Sequence, residues 1–343
     1  MTTSRNSLAP LRALGRGLTS LLLTLAALLI VTFALSKFSP IDAALARVGD
    51  HANRSAYLQM RQTLGLHASW PVQLLRYAQQ LAHGELGTSV ATGEPVAEDL
   101  RRVLPATIEL ATLAIAVSAV LGLALAVLAV HHEGRATDTV VRIVSLLGNS
   151  IPIFWLGLLA LLLFYARLQW VAGPGRLDDA YEYTIDMPTG VVLIDAWRSG
   201  VPGAFGSAIA HLVLPVSILA AYAIGNVTRL TRTALLAQMR EDYVTLARAK
   251  GARELRVLFR HALPNVAGVV LTVLALTYAN LLEGAVLVET VFARPGLGRY
   301  LTTALFAGDT PAILGATLLI GFCFVLINAL TDVLVGIADP RVR

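Results

Sequence analysis

The sequence predicts an all-α, polytopic membrane protein with six transmembrane helices. Of its 343 residues, 56% are hydrophobic, and the mean hydropathy is +0.69. Only 14% of the residues are charged, whereas charged residues make up about a quarter of an ordinary soluble domain. A chain of this composition cannot bury its apolar surface in water, so a soluble fold is excluded.

Six segments are long and apolar enough to cross a hydrocarbon core, which takes roughly 20 helical residues. None of them alternates between polar and apolar residues as a half-buried strand does. The segments cover residues 18–36, 106–130, 139–165, 209–235, 267–291 and 313–336. Because their number is even, both termini are expected on the same side of the membrane.

Basic residues mark one side of the predicted bundle. They precede the first span, flank the turn after the second, crowd the loop between the fourth and fifth, and end the chain: Arg5, Arg12, Arg16, Arg135, Arg142, Arg240, Arg248, Lys250, Arg253, Arg256, Arg260, Arg341 and Arg343. The positive-inside rule assigns this side, with both termini, to the cytoplasm. The first span also resembles a signal peptide ending at Ala34-Leu35-Ser36, but its apolar core is longer than usual, so we interpret it as an uncleaved anchor.

The composition argues against several other kinds of site. The net charge of +5 is spread among apolar runs and forms no basic stripe, so no nucleic-acid partner is predicted. The single cysteine, Cys323, lies within an apolar run and supports neither a disulfide nor a zinc site. His131 and His132 are adjacent and point in different directions on a helix, so no metal site is predicted there.

The cytoplasmic loop at residues 237–262 carries the clearest functional pattern. It reads as two short helices separated by Gly251, which suits a tight helical turn. Tyr243, Leu246 and Ala247 are expected to share a face before the glycine. After it, Leu255, Leu258, Phe259 and Ala262 follow the helical spacing of a second face. Such a half-apolar face can dock into a groove of a soluble partner. The alternative is an amphipathic helix lying on anionic lipid.

The loop resembles a known signature. Glu241-Asp-Tyr-Val-Thr-Leu-Ala-Arg-Ala-Lys-Gly251, followed by His261-Ala-Leu-Pro264, is similar to the coupling loop of permease subunits in the dipeptide, oligopeptide and nickel family of bacterial ATP-binding-cassette (ABC) importers. Six further segments resemble landmarks of that family in order: Leu64-Gly-Leu66, His83-Gly-Glu-Leu-Gly-Thr-Ser89, Leu104-Pro-Ala-Thr-Ile-Glu-Leu110, Ser150-Ile-Pro-Ile-Phe-Trp155, Glu289-Thr-Val-Phe-Ala-Arg-Pro-Gly-Leu-Gly-Arg299 and Asp339-Pro-Arg-Val-Arg343.

The resemblance implies the type I importer permease fold in the bacterial inner membrane. Residues 1–36 then hold the first helix, 37–104 a periplasmic loop, and 105–343 a five-helix core. It further implies a homologous second permease, two ATPase subunits and an external solute-binding protein. The expected ATPase contacts are Glu241, Asp242, Tyr243, Ala247, Ala249, Lys250, Gly251, Leu263 and Pro264.

The chain has no Gly-x-x-x-x-Gly-Lys-Ser/Thr motif, so it lacks the amide cradle and lysine that bind ATP phosphates. It is therefore not expected to be an enzyme or to hold a cofactor, and ATP and Mg²⁺ are assigned to the partner ATPase subunits. The function predicted is the translocation of peptides. Nickel or a metal chelate is the alternative solute. A secondary transporter coupled to an ion gradient is the alternative of a different class.

Five residues are candidates for the translocation path. Asn149, Ser150 and Pro152 interrupt the third span, where the proline frees a carbonyl and kinks the helix. Glu283 is a charge deep in the fifth span, where ionisable groups are costly and are usually functional. A hydrogen bond to Asn226 or Asn328 is the alternative for Glu283. Glu289 lies nearer the outer mouth, where gating and a salt bridge with Arg294 or Arg299 are the two options. The acidic residues of the second outer loop, residues 166–208, are interpreted as a solvated face.

Overall fold

The computed structural model describes residues 9–37, 43–49 and 53–338, and the strand content of this part is limited to one isolated bridge between Thr88 and Pro95. The all-α prediction is therefore confirmed. The predicted landmark at residues 339–343 and the N-terminal arginine at position 5 lie outside the described residues.

Helices occupy most of the described chain. In order they are α1 (Ala9–Lys37), α2 (Ala43–Val48), α3 (Arg54–Thr63), α4 (Trp70–Ala82), α5 (Val96–His131), α6 (Ala136–Ser150), α7 (Ile153–Ala160), α8 (Asp179–Glu182), α9 (Val192–Arg198), α10 (Ala204–Gln238), α11 (Asp242–Ala249), α12 (Glu254–Val257), α13 (Leu263–Asn265), α14 (Ala267–Val291), α15 (Leu297–Ala307) and α16 (Thr310–Ala338). Two π-helical segments, Leu161–Arg167 and Leu258–Ala262, follow α7 and α12.

Each predicted span falls on a helix. Among the described residues, Val96–His131, Ala204–Gln238, Ala267–Val291 and Thr310–Thr331 are long and apolar enough to cross a membrane. The predicted first span coincides with α1, whose segment Leu21–Leu35 is apolar but shorter. The predicted third span corresponds to α6 and to α7 with its π-helical continuation, which meet at 97°. The number of six crossings and the side of each terminus remain predictions.

The break in the third span has a local cause. Proline disfavours the helical conformation at the preceding residue, and Ile151 has ψ 128°. Pro152 itself precedes the first turn of α7, where its missing N–H costs no hydrogen bond. The expected kink is therefore a sharp turn between two separate helices.

The chain folds as two compact units. The first unit comprises the chain up to Leu104 together with Arg299–Leu326, and the second comprises Pro105–Gly298 together with the chain from Ile327.

In the first unit, one buried carboxylate orders residues 87–95. Asp309 caps α16 by accepting the N–H of Ala312 at 3.1 Å. It also accepts the Ser89 hydroxyl at 2.6 Å and the N–H groups of Val90 and Ala91 at 2.6 and 3.0 Å. Because these donors satisfy the carboxylate, its burial is tolerated. Asp99 binds the neighbouring Thr92 hydroxyl at 2.6 Å in the same way.

In the second unit, an apolar core joins α5, α7, α9, α10 and α14, and includes Leu110, Leu212, Leu219 and Leu281. Helices α6 and α10 approach each other unusually closely within this unit. A Cβ at Gly225 would lie 2.5 Å from the Ser145 carbonyl oxygen, and one at Gly148 would lie 2.7 Å from that of Ala221. Only glycine permits these backbones to lie so near each other.

We expect Gly225→Ala to lower the free energy of unfolding by about 1–3 kcal/mol, because the added methyl group would push α6 and α10 apart. Gly206→Ala is the matched control in the same helix, since a Cβ there meets no atom within 4 Å. That change should be neutral or stabilising by up to about 1 kcal/mol. Thermal unfolding of the detergent-solubilised protein measures both, and equal effects would contradict the close approach.

Candidate functional site

The loop that follows α10 is built around an apolar cluster. This cluster, called the loop cluster below, comprises the buried residues Val130, Leu235, Met239, Val244, Val257, Leu258, Ala262, Val266 and Val270. Its members come from the ends of α5 and α10, from the loop, and from the start of α14. The loop is therefore packed onto the helix ends and is not a free connection.

The face that α11 buries differs from the one predicted. Val244 is buried, while Tyr243 and Ala247 pack at the edge of the loop cluster. Leu246, expected on the same face as Tyr243 and Ala247, is exposed on the opposite side. The prediction of a shared face for Leu246 is wrong because the inward side of α11 is centred on Val244, between Tyr243 and Ala247. Leu246 thus remains available to a partner.

Gly251 ends α11 in a Schellman motif. Its φ of +79° is a conformation that residues with a Cβ rarely adopt. The N–H of Gly251 donates to the Arg248 carbonyl at 2.9 Å, and the N–H of Ala252 donates to the Ala247 carbonyl at 3.2 Å. Ala247 and Ala252 both pack beside the loop cluster, which completes the hydrophobic contact typical of this motif. The predicted glycine break is confirmed.

An ion pair spans the turn made by Gly251. The Arg248 guanidinium donates to the Glu254 carboxylate through Nη2 at 2.5 Å and Nε at 3.2 Å. This hydrogen bond lowers the pKa of Glu254 and raises the pKa of Arg248. Both side chains are partly exposed, so the pair orients α11 against α12 more than it stabilises the fold.

The segment after the turn also differs from the single face predicted. Leu258 and Ala262 are buried in the loop cluster, whereas Leu255 and Phe259 are exposed. The π-helical turn Leu258–Ala262 precedes Pro264, whose ring removes a donor and crowds the turn before it. This turn separates the four residues into a buried pair and an exposed pair.

The remaining predicted contact residues lie around α11. Glu241 caps the helix through its backbone, Asp242 lies in the first turn, and the Tyr243 hydroxyl donates to Gln238 at 2.7 Å. Ala249 and Lys250 are exposed at the end of the helix. Leu263 is half-buried beside the loop cluster, and Pro264 is exposed. The residues are thus brought together on one loop, but Ala247 and Leu263 serve the packing of the loop itself.

Four of the five predicted path residues are accessible. Asn149, Ser150 and Pro152 are exposed at the bend between α6 and α7, and Glu283 is exposed on α14. Gly284 lies against Ile153, with 3.4 Å between a Cβ built on it and Cδ1 of the isoleucine. The bend and Glu283 therefore lie at the same depth. In the described chain, no hydrogen bond joins Glu283 to Asn226 or to Asn328.

Glu289 has a different position from the one predicted. It is only 1% exposed, and its carboxylate accepts the Thr107 hydroxyl at 2.6 Å and the Gly298 N–H at 2.7 Å. A Cβ at Gly296 would overlap this carboxylate, which explains the glycine in the Pro295-Gly-Leu-Gly298 turn. Its assignment to the translocation path is corrected, because a buried and hydrogen-bonded carboxylate has a structural role.

A charge cluster that the sequence did not reveal lies beside it. Glu109 accepts the N–H groups of Leu193 and Val192 at 2.9 and 3.3 Å. Its carboxylate is 3.6 Å from Nη2 of Arg294 and 3.9 Å from Nη2 of Arg176. Burial, and then the positive charge of Arg176, lowers the pKa of Arg294 to about 10. Glu109 and Arg294 each lie in a landmark segment, but no pattern in the sequence paired them.

One carboxylate of the loop at residues 166–208 is buried, although the sequence predicts a solvated face there. Asp195 is buried and accepts the Thr189 hydroxyl at 2.8 Å. Asp178, Asp179, Glu182 and Asp186 are exposed, as expected. In the described ranges, no three His, Cys, Asp or Glu side chains lie close enough together to hold a metal ion.

Several helices long and apolar enough to span a membrane define a polytopic membrane protein, and comparison with known proteins gives its family. Residues 106–343, more than half of the chain, match the family described as binding-protein-dependent transport system inner membrane component. The chain belongs to this family and is a multi-pass permease of the bacterial inner membrane.

Several curated relatives match almost the whole chain. The probable D,D-dipeptide transport system permease protein DdpB of Escherichia coli is 42% identical over 94% of both chains. The di/tripeptide transport system permease protein DppB of Pseudomonas aeruginosa is 39% identical over 92% of this chain and 93% of its own. The dipeptide transport system permease protein DppB of Haemophilus influenzae is 38% identical over 93% of this chain and 96% of its own.

We expect Glu109→Gln to lower the free energy of unfolding by about 3–5 kcal/mol, because it removes the carboxylate that two buried guanidinium groups share. Glu94→Gln, the same change at an exposed position away from this cluster, should alter it by no more than about 0.5 kcal/mol. Thermal unfolding in detergent distinguishes the two. A Glu109 variant as stable as the control would show that the cluster does not hold the fold.

Proposed function

We propose that this chain is one of two permease subunits of an ATP-driven importer that carries small peptides across the inner membrane. The relatives described above are named as permeases of dipeptide and di/tripeptide transport systems, and they match over nearly their whole length. The family description supports a solute-binding protein as one partner. A homologous second permease and two ATPase subunits, which would bind ATP and Mg²⁺, complete the proposed complex.

The observation that carries this proposal is the geometry of the loop that contains α11. One side of α11 packs into the loop cluster, while Leu246, Ala249 and Lys250 remain exposed on its other side. An exposed leucine on a short, firmly packed helix suits a groove on a soluble protein. A secondary transporter has no need of such a helix. The ATPase contact is therefore assigned to the exposed side of α11.

The solute would pass the bend between α6 and α7. Asn149, Ser150 and Pro152 offer polar groups and a freed backbone there, and Glu283 lies at the same depth on α14. A charge on a membrane helix is costly against lipid, so Glu283 is expected to face a partner subunit or an aqueous path. A carboxylate favours cationic groups. A peptide ammonium provides one, and nickel or a metal chelate is the second candidate.

The proposal is tested by purifying the tagged chain from its host in mild detergent and reconstituting the product in lipid vesicles. Mass spectrometry should find a second permease, ATPase subunits and a binding protein. With the binding protein outside and ATP inside, labelled dipeptide should accumulate, and unlabelled tripeptide but not nickel should compete. Uptake by the chain alone, driven by an ion gradient and indifferent to ATP, would establish the secondary-transporter alternative.

We expect Ala249→Arg to prevent ATPase docking, because Ala249 is exposed on the proposed contact side and the arginine would be desolvated in the groove. Ala249 is a sharper test than Ala247, which packs on the loop cluster. Ala136→Arg makes the same change at an exposed residue outside the loop. ATPase recovery in pull-downs should fall by at least about tenfold for the first variant and stay unchanged for the second. Equal recovery would place the ATPase elsewhere.

A further inference from the structure

Helices α6 and α10 are joined by a partly buried ion pair. Nε of Arg232 donates to Oδ1 of Asp138 at 2.8 Å, and Nη2 donates to Oδ2, also at 2.8 Å. The Asp138 side chain is 4% exposed and that of Arg232 is 18% exposed. The Gly134 N–H also donates to Asp138, at 3.2 Å. Two parallel charge-assisted hydrogen bonds fix both the distance and the orientation of the two side chains.

The ion pair and the two close glycine contacts lie along one line of contact between α6 and α10, called the contact line below. Gly225 faces Ser145 and Gly148 faces Ala221, so the two helices run antiparallel. Moving seven residues, or about two turns, along each helix from the Gly225–Ser145 contact leads to Arg232 and Asp138. The contact line thus begins at the ion pair and continues along α6 toward its end at Ser150. Over this length α6 and α10 have little freedom to slide.

One end of α10 belongs to the loop cluster. Leu235 lies one turn beyond Arg232, and Leu235 and Met239 belong to the loop cluster together with Val244 of α11. Helix α6 contributes the bend at its other end, beside Glu283. A displacement of α11 therefore reaches α10 through apolar contacts. It then reaches α6 first at Arg232 and Asp138.

An ion pair is an unusual choice for stability at this position. Breaking a buried pair is costly, but replacing it with apolar residues is often neutral or stabilising. Unlike apolar packing, the two hydrogen bonds of the pair have a fixed direction. They therefore resist both the separation of α6 from α10 and the sliding of one helix along the other. Asp138 also lies in the first turn of α6, where the helix dipole favours a negative charge.

We propose that Asp138 and Arg232 are positioning residues that couple movement of the ATPase-docking loop to the bend of the third span. This inference rests on the proposed function, because it assumes that α11 receives the movement from the ATPase. The pair holds α6 to α10 while the loop moves, so the bend at residues 150–152 follows. Without the pair, α10 moves and α6 lags behind.

The test measures the number of peptide molecules imported per ATP hydrolysed, using the complete complex in lipid vesicles. Asp138→Asn and Arg232→Gln should each lower this ratio by about tenfold, within the range of known coupling factors. The double variant should be no worse than either single variant, because all three break the same link. Arg232→Lys keeps the charge but loses the fork of donors, so it should restore part of the ratio.

The matched control is Arg229→Gln, which removes an exposed guanidinium from α10 one turn before Arg232, where Nη2 donates to Oδ1 of Asn226 at 3.4 Å. This variant should leave the ratio unchanged. An effect confined to folding would reduce the amount of assembled complex while preserving the ratio in what remains.

The outcomes are separable. If the wild-type complex shows no ATP-dependent uptake, the proposed function fails. If it imports peptide and the ratio of Asp138→Asn equals that of wild type, only the coupling inference is overturned. If Asp138→Asn does not assemble, Arg232→Gln decides the question, and a ratio equal to that of wild type would overturn the proposal.

Discussion

The cost of leaving a charge or a polar group unpaired in an apolar environment is the constraint on which this structure depends. Buried carboxylates at three places each take several donors. Asp309 orders residues 87–95 at the start of α16, Glu109 receives two amides and approaches two guanidinium groups, and Asp138 receives both donors of Arg232. In each case a carboxylate ties together segments far apart in the chain, so these pairings define which segments become neighbours.

The same constraint separates the structural from the accessible charges. Glu289 and Glu283 lie six residues apart on α14, yet Glu289 is buried with Thr107 and Gly298 while Glu283 is exposed. The hydrogen-bonded residue holds the turn that follows α14, and the exposed one remains accessible. The loop after α10 follows the same division, since one side of α11 is packed against the helix ends and the other is free to bind.

Sequence reasoning succeeded where a single local rule applied. The helical nature of the apolar segments follows from their composition, the glycine turn from a residue that adopts a φ of +79°, and the break in the third span from the ring of Pro152. It failed where residues distant in the sequence determine which side chains are buried. The buried side of α11 and the split of the segment after Gly251 depend on the shape of the loop cluster, which draws on three separate helices. The 97° bend was expected only as a kink, because its size is determined by what α6 and α7 pack against.

By itself the sequence determined the class of protein, the apolar helices and the glycine turn of the loop after α10, because hydropathy, charge and turn chemistry act over short stretches of chain. Only the tertiary structure decided which charges pair. The ion-pair partners Glu109 and Arg294 are 185 residues apart in the sequence, and Asp138 and Arg232 are 94 residues apart. No local pattern encodes such a partner, since the pairing energy exists only once packing has excluded water and brought the two groups together.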